Sequence, residues 1–299
     1  MRLVDLPRST QTLAIARCVV GLLMLWIMAV QDLPAAAELP RVWFVQIGPV
    51  ALLPADCAAA LLHPSALTLI RWAGIALAIA FALGLGPAAL VGTLLALTAT
   101  LAQCLGPKAF TGGLSTHHEN GAIIVTLLLA LAVPRRSLTD DAKAAAARGA
   151  MNLCSITIGV MYMEVGCHRL AHSGAEIFVG DSIVAWMVSH SLEYRETSFS
   201  LGVLVAGTPA LAVLSKAAFF VATLAEVAAP LAVLMTARWR AAWLGALVAM
   251  HVGSALMMNV HFWENLVLLL VFCSGLPTWI VMRWGACSPP RLTPATNPY

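Results

Sequence analysis

The sequence predicts an all-α integral membrane protein: a polytopic helical bundle of about eight transmembrane helices, with one extra re-entrant or surface helix. Three observations predict this. Of the 299 residues, 61% are hydrophobic and 10% charged, and the mean hydropathy is +0.88. A soluble domain carries about 25% charged residues, so this chain cannot give a core a polar skin. The apolar residues also gather into runs near the roughly 20 residues that cross a hydrocarbon core. Finally, the basic residues between runs sort to one side, as in multi-pass proteins. The formal net charge of +3 is small and scattered, which excludes nucleic acid as a partner and leaves the lipid bilayer as the partner that composition demands.

The expected spans are 12–30, 66–85, 88–105, 121–133, 151–166, 217–235, 241–258 and 266–282. The first follows Arg2 and Arg8. It is long for a signal-peptide core, and Gln31-Asp32-Leu33-Pro34 is a poor cleavage site, so it reads as a retained span. The fourth is short, with His118 and Asn120 extending it toward the surface. A further apolar stretch, 201–214, is interrupted by Gly207-Thr208-Pro209 and is expected to be re-entrant or to lie on the surface. Arg71, near the start of the second span, reads as a snorkelling anchor. Residues 1–285 form one transmembrane domain and 286–299 a short cytoplasmic tail.

With eight spans, four basic groups share one face: Arg2 and Arg8; Arg135, Arg136, Lys143 and Arg148; Arg238 and Arg240; Arg283 and Arg291. Both termini are therefore expected in the cytoplasm. The opposite face collects His63, His117, His118, His168, His172, His190 and His261, while His251 falls inside the seventh span. The loop "GPKAFTGGLSTHHENGA" on that face places Lys108, His117, His118 and Glu119 together. Histidine near its ordinary pKa suits proton transfer at neutral pH, so His118, Glu119 and Lys108 are candidate acid–base groups, with His117 a candidate ligand-binding neighbour.

Glu164 and Glu226 are read as intramembrane carboxylates. Each costs about 2.5–3.5 kcal/mol on insertion scales, so each is expected to face the bundle interior with a partner, as a proton-relay, cofactor-binding or structural group. Pro230, four residues after Glu226, is expected to break or kink that helix. His168 and His172, spaced i, i+4, are candidate metal ligands on one helix face. "MHVGSALMMNVHFWEN" adds His251, His261 and three methionines, soft donors that suit copper(I). Seven cysteines show no CxxC spacing. Cys57, Cys104 and Cys167 fall on the histidine-rich face, where either a disulfide or free thiols fit.

Four stretches, taken in order, carry a family resemblance: "ARCVVGLLMLWIMAV" (16–30), "HENGAIIVTLLLALAVP" (118–134), "YMEVGCHRL" (162–170) followed by "GDSIVAWMVSH" (180–190), and "EVAAPLAVL" with "MHVGSALMM". Together they resemble the HTTM superfamily of vitamin K-dependent gamma-carboxylase-like membrane domains, which also includes bacterial proteins that mature a sporulation-delaying peptide. The resemblance implies a bacterial cytoplasmic (inner) membrane protein with matched histidines at His118 and His251. In the carboxylase branch a lysine deprotonates reduced vitamin K, and that position falls at Arg169. Arginine stays protonated and cannot be that base. The tryptophan expected a few residues later is missing. What is implied is an enzyme or maturation factor acting on a quinone-like lipophilic molecule or an exported peptide, other than a standard gamma-carboxylase. Its candidate catalytic residues are His118, His251, Lys108, Glu119 and Arg169, and its candidate cofactor-binding residues are His117, Glu164 and Glu226. The alternative is a non-catalytic copper or small-molecule binder or transporter, or a partner-docking subunit.

Overall fold

In a computed structural model, residues 9–107, 117–132, 138–174, 176–193 and 200–285 are described; Lys108 and the side chains of His117 and His118 lie outside them. The described chain is all-α and polytopic, as the composition requires. Helix α1 is Ser9–Val30, α2 Ala55–Leu61, α3 Pro64–Leu83, α4 Ala88–Leu105, α5 His117–Leu131 and α6 Asp140–Ser173. Then follow α7 (Glu176–Val179), α8 (Ser182–Glu193), α9 (Gly202–Ala206), α10 (Pro209–Val227), α11 (Ala237–Met258), α12 (Trp263–Phe272) and α13 (Leu276–Gly285). Short 3-10 turns cover Leu33–Glu38, Arg41–Trp43, Gly48–Leu52 and Ala229–Val233.

Among the described residues, six helices (α1, α3, α4, α6, α10 and α11) are long and apolar enough to cross a membrane. The pair α12–α13, bent by 58°, makes a seventh span if counted as one. The expected fourth span falls on α5, whose 15 residues reach about 22 Å and so fall short of the roughly 30 Å hydrocarbon core. Large apolar side chains point outward along these helices, including Leu22 and Trp26 on α1, Leu69 and Trp72 on α3, and Val213 and Leu214 on α10. This is the surface that lipid covers.

Helix α1 packs against α3, α5, α6, α12 and α13. Without a hydrophobic drive between helices in lipid, close approach depends on small residues. A Cβ on Gly21 of α1 would sit 2.7 Å from the Ala82 backbone of α3, so the two helices touch there. On α6, a Cβ on Gly159 would sit 2.9 Å from the Ala229 carbonyl, and one on Gly166 3.0 Å from the Val227 nitrogen. These two glycines seat the end of α10 directly on α6.

Several boundaries differ from expectation, each for a local reason. The expected fifth span is the middle of α6, a helix of 34 residues and about 51 Å. Thr139 caps its start by accepting from the Ala142 amide at 3.3 Å, and Asp140 and Asp141 complement the dipole. The sixth span begins at Pro209, eight residues earlier than expected, because proline suits the first turn of a helix. The predicted re-entrant stretch thus divides into α9 and the start of α10. Pro230 ends the helix as expected: α10 stops at Val227 and a 3-10 turn follows. Arg240 is no solvated loop cation. It is 7% exposed, and its guanidinium donates to the carbonyls of Ala232, Val233 and Met235 around the break. Arg71 is more than an anchor: it donates to the Ala29 carbonyl at 2.8 Å and lies 3.7 Å from Asp32.

Candidate functional site

The site is organised by one face of α6. Residues 155, 159, 162, 166 and 169 recur at helical spacing and turn inward: Ser155, Gly159, Tyr162 and Gly166 are buried, and Arg169 is half-buried. Besides the Ser155 hydroxyl, which donates to the Phe272 carbonyl at 2.7 Å, two polar contacts leave this face, two turns apart.

The first joins α6 to α10. Arg169 donates to Glu226 Oε2, and its other donor contact is the Thr223 hydroxyl at 3.1 Å. The guanidinium also lies 4.6 Å from the centre of the Phe219 ring. Phe219, Thr223 and Glu226 recur at i, i+4 and i+7 along α10, so a single helix face supplies the whole receptor for the cation. Glu226 is 1% exposed and Thr223 fully buried. The pair meets the expectation that an intramembrane carboxylate has a partner.

The second joins α6 to α11. Tyr162 Oη lies 2.5 Å from His251 Nε2. Tyr162 is 7% and His251 6% exposed. The imidazole is flanked edge-on by the rings of Tyr162 and Phe262, each centred 5.8 Å away. His251 Nδ1 is buried and has no hydrogen-bond partner among the described residues. With Nε2 fixed by Tyr162, Nδ1 is left as either a free donor or a free acceptor, according to tautomer.

A third polar group sits at the start of α5. Glu119 is 4% exposed and accepts from Gln31 Nε2 at 2.8 Å and Gln103 Nε2 at 3.1 Å. These amides come from the residue just after α1 and from the last turn of α4, so Glu119 ties three helix ends together. As an acid in the first turn of a helix it also complements the dipole.

The predicted residues are therefore divided. Arg169 and Glu226 are brought together, His251 is placed against Tyr162, and Glu119 is fixed between two glutamines. The expectation that Glu164 faces the interior as a cofactor ligand is corrected: it is exposed. It lies two residues from Tyr162, about 200° around the helix and on the opposite face. It is also about 36 Å along α6 from Asp140, so the extra length of that helix relieves it of the need for a buried partner. His168 and His172 do share a face, with rings centred 4.0 Å apart, and both are exposed. No group of three or more His, Cys, Asp or Glu side chains among the described residues is arranged to hold a metal ion. Of the copper donors, His251 Nε2 is taken by Tyr162, and Met257 Sδ lies 3.9 Å from the Ser215 hydroxyl. Cys57, Cys104 and Cys167 are free thiols.

Sequence reasoning passed over Tyr162, Thr223, Gln31 and Gln103. The first two had a usable signal. Tyr162 precedes Arg169 by seven residues and Thr223 precedes Glu226 by three, so each shares a helical face with a residue already singled out. The glutamines had none, since their partner is far away in sequence. Compared with known proteins, the chain finds no counterpart: no family model matches it, and no curated protein and no solved structure matches it.

Proposed function

We propose that this protein is a membrane-embedded binding and acid–base site for a small lipophilic molecule bearing a ring carbonyl or hydroxyl, of the quinone class. The observation that carries the reading is the Tyr162–His251 contact, which leaves one imidazole nitrogen unpaired inside an apolar bundle. An unmade hydrogen bond in such a place costs about 1–3 kcal/mol, and a ligand oxygen at Nδ1 removes that cost. The rings of Tyr162 and Phe262 against the imidazole give it aromatic surroundings that suit an apolar ligand. In this reading His251 holds the ligand oxygen and exchanges a proton with it, while Tyr162 fixes the tautomer of the imidazole from Nε2. Arg169 takes no part in the chemistry, because its partners Glu226, Thr223 and Phe219 already occupy it.

The same reading places the chain with HTTM-like proteins in a bacterial cytoplasmic membrane, termini inward. It follows the resemblance described above and the sorting of basic residues. Carboxylation is not included, because an arginine stands where that chemistry needs a neutral lysine.

The test is chemical. Protein purified in mild detergent is extracted, and the extract is analysed by mass spectrometry beside that from His251→Leu. A quinone-like compound near one per protein, lost in the variant while membrane insertion is unchanged, is the expected result. Phospholipid alone in the wild-type extract sinks the reading.

A further inference from the structure

Among the described residues, α10 ends in a 3-10 turn and α12 breaks before α13, and the two ends are finished differently. In lipid, backbone and side-chain polar groups must be satisfied from within. At the end of α10, Arg240 donates to three carbonyls, and Trp243 Nε1 donates to the Ala225 carbonyl at 2.8 Å. Between α12 and α13 the closure is incomplete. Ser155 Oγ donates to the Phe272 carbonyl at 2.7 Å, the Ser274 hydroxyl donates to Leu270, and the Leu276 amide donates to Ser274 Oγ at 3.0 Å. Yet Asn152 Oδ1 and Thr278 Oγ1 are both buried with no partner among the described residues, and Thr278 is only 8% exposed.

Those two atoms belong to residues lining one small cavity, together with Ser155, Phe272 and Gly275. The cavity has about 10 Å³ of room for the centre of a water molecule, which is enough for one water and no more. We propose that the α12–α13 break is a binding site for a single structural water. It accepts from the Thr278 hydroxyl and donates to Asn152 Oδ1, and so bridges α13 to α6 across the 58° bend. The chemistry of the lining favours water over a cation. No carboxylate lines the cavity. The carbonyl end of α12 and the amide end of α13 both meet at the break, and their partial charges, opposite in sign, offset each other. An apolar occupant would leave both polar atoms unpaired.

The test is a double-mutant cycle on the full chain in detergent, using Thr278→Val and Asn152→Leu and reading the apparent Tm. A shared water predicts a loss of about 2–4 °C for each single variant. The double variant falls little further, because the first substitution already removes the common bridge. Thr278→Ser, which keeps the hydroxyl, returns the Tm to that of the wild type. A rise on Thr278→Val overturns the proposal, since removing a dry, unpaired hydroxyl is stabilising. Fully additive losses overturn it too, because they mean the two residues share nothing. A wild-type Tm that falls when sodium is replaced by choline at constant ionic strength assigns the site to a cation and also overturns it. If the variants do not insert, a high-resolution map of the wild type decides. One peak within hydrogen-bond distance of both Asn152 Oδ1 and Thr278 Oγ1 upholds the water, and none refutes it.

Discussion

Two polar contacts leave the same face of α6, seven residues apart, and they are of opposite kinds. Arg169 is enclosed by a carboxylate, a hydroxyl and an aromatic face, all from α10. His251 has one nitrogen against Tyr162 and the other against nothing polar. A contact whose partners are all supplied by the protein is built to hold helices together. One that leaves a buried polar atom over is not explained by holding helices together, and this separates the fold-keeping pair from the candidate site. Charge alone points the wrong way: the ion pair is the more conspicuous feature in the sequence, and the neutral pair is the one with chemistry to spare.

The comparison breaks most forcefully at Arg169. Arg169→Leu leaves Glu226, 1% exposed, without its cation. Removing one partner of a buried pair costs roughly 3–5 kcal/mol, and a large fall in apparent Tm with poor yield is expected. Arg169→Leu with Glu226→Leu removes both charges and recovers most of the loss. If the double variant is as unstable as the single, the pair is not the simple clamp described above.

Gly166 sharpens the same half of the comparison. A Cβ there meets Glu226 Cβ, Val227 Cγ2 and the Val227 nitrogen, each at 3.0 Å. Gly166→Val forces α10 away from α6 and is expected to cost about 1–3 kcal/mol, the usual cost of overpacking. Ligand content measured by mass spectrometry should follow folded protein in this variant. Selective loss of ligand from well-folded Gly166→Val would move the site toward α10.

Much of this arrangement was legible in the sequence. Composition and run length established the fold class, and Pro230 announced the end of α10. Glu226 was recognisable as a buried carboxylate needing a partner, and Arg169 was singled out independently. Their pairing was hidden because it depends on how far α10 slides along α6, which Gly159 and Gly166 set by letting the backbones touch. Glu164 misled because its environment depends on helix length: an apolar window of 16 residues conceals a helix of 34. The α12–α13 bend was missed because Ser274 and Gly275 are unremarkable inside a hydrophobic run. Glu119 was visible as part of a polar loop, but nothing local marks Gln31 and Gln103 as its donors.

The neutral pair should respond weakly in stability and strongly in ligand content. Tyr162→Phe removes one hydrogen bond and leaves both nitrogens of His251 without a protein partner, so a loss of about 1–3 kcal/mol is expected. His251→Leu in the Tyr162→Phe background replaces both partners with apolar groups of similar size, a change that is nearly neutral because no buried polar atom is left over. The double variant should therefore melt at a higher temperature than Tyr162→Phe alone while holding none of the bound molecule. The recovered stability is common to any buried hydrogen bond removed whole; the loss of the bound molecule is what a ligand site adds. A purely structural hydrogen bond gives the same recovery in stability with ligand content indifferent to both substitutions, and that pattern would return Tyr162 and His251 to the same class as Arg169 and Glu226.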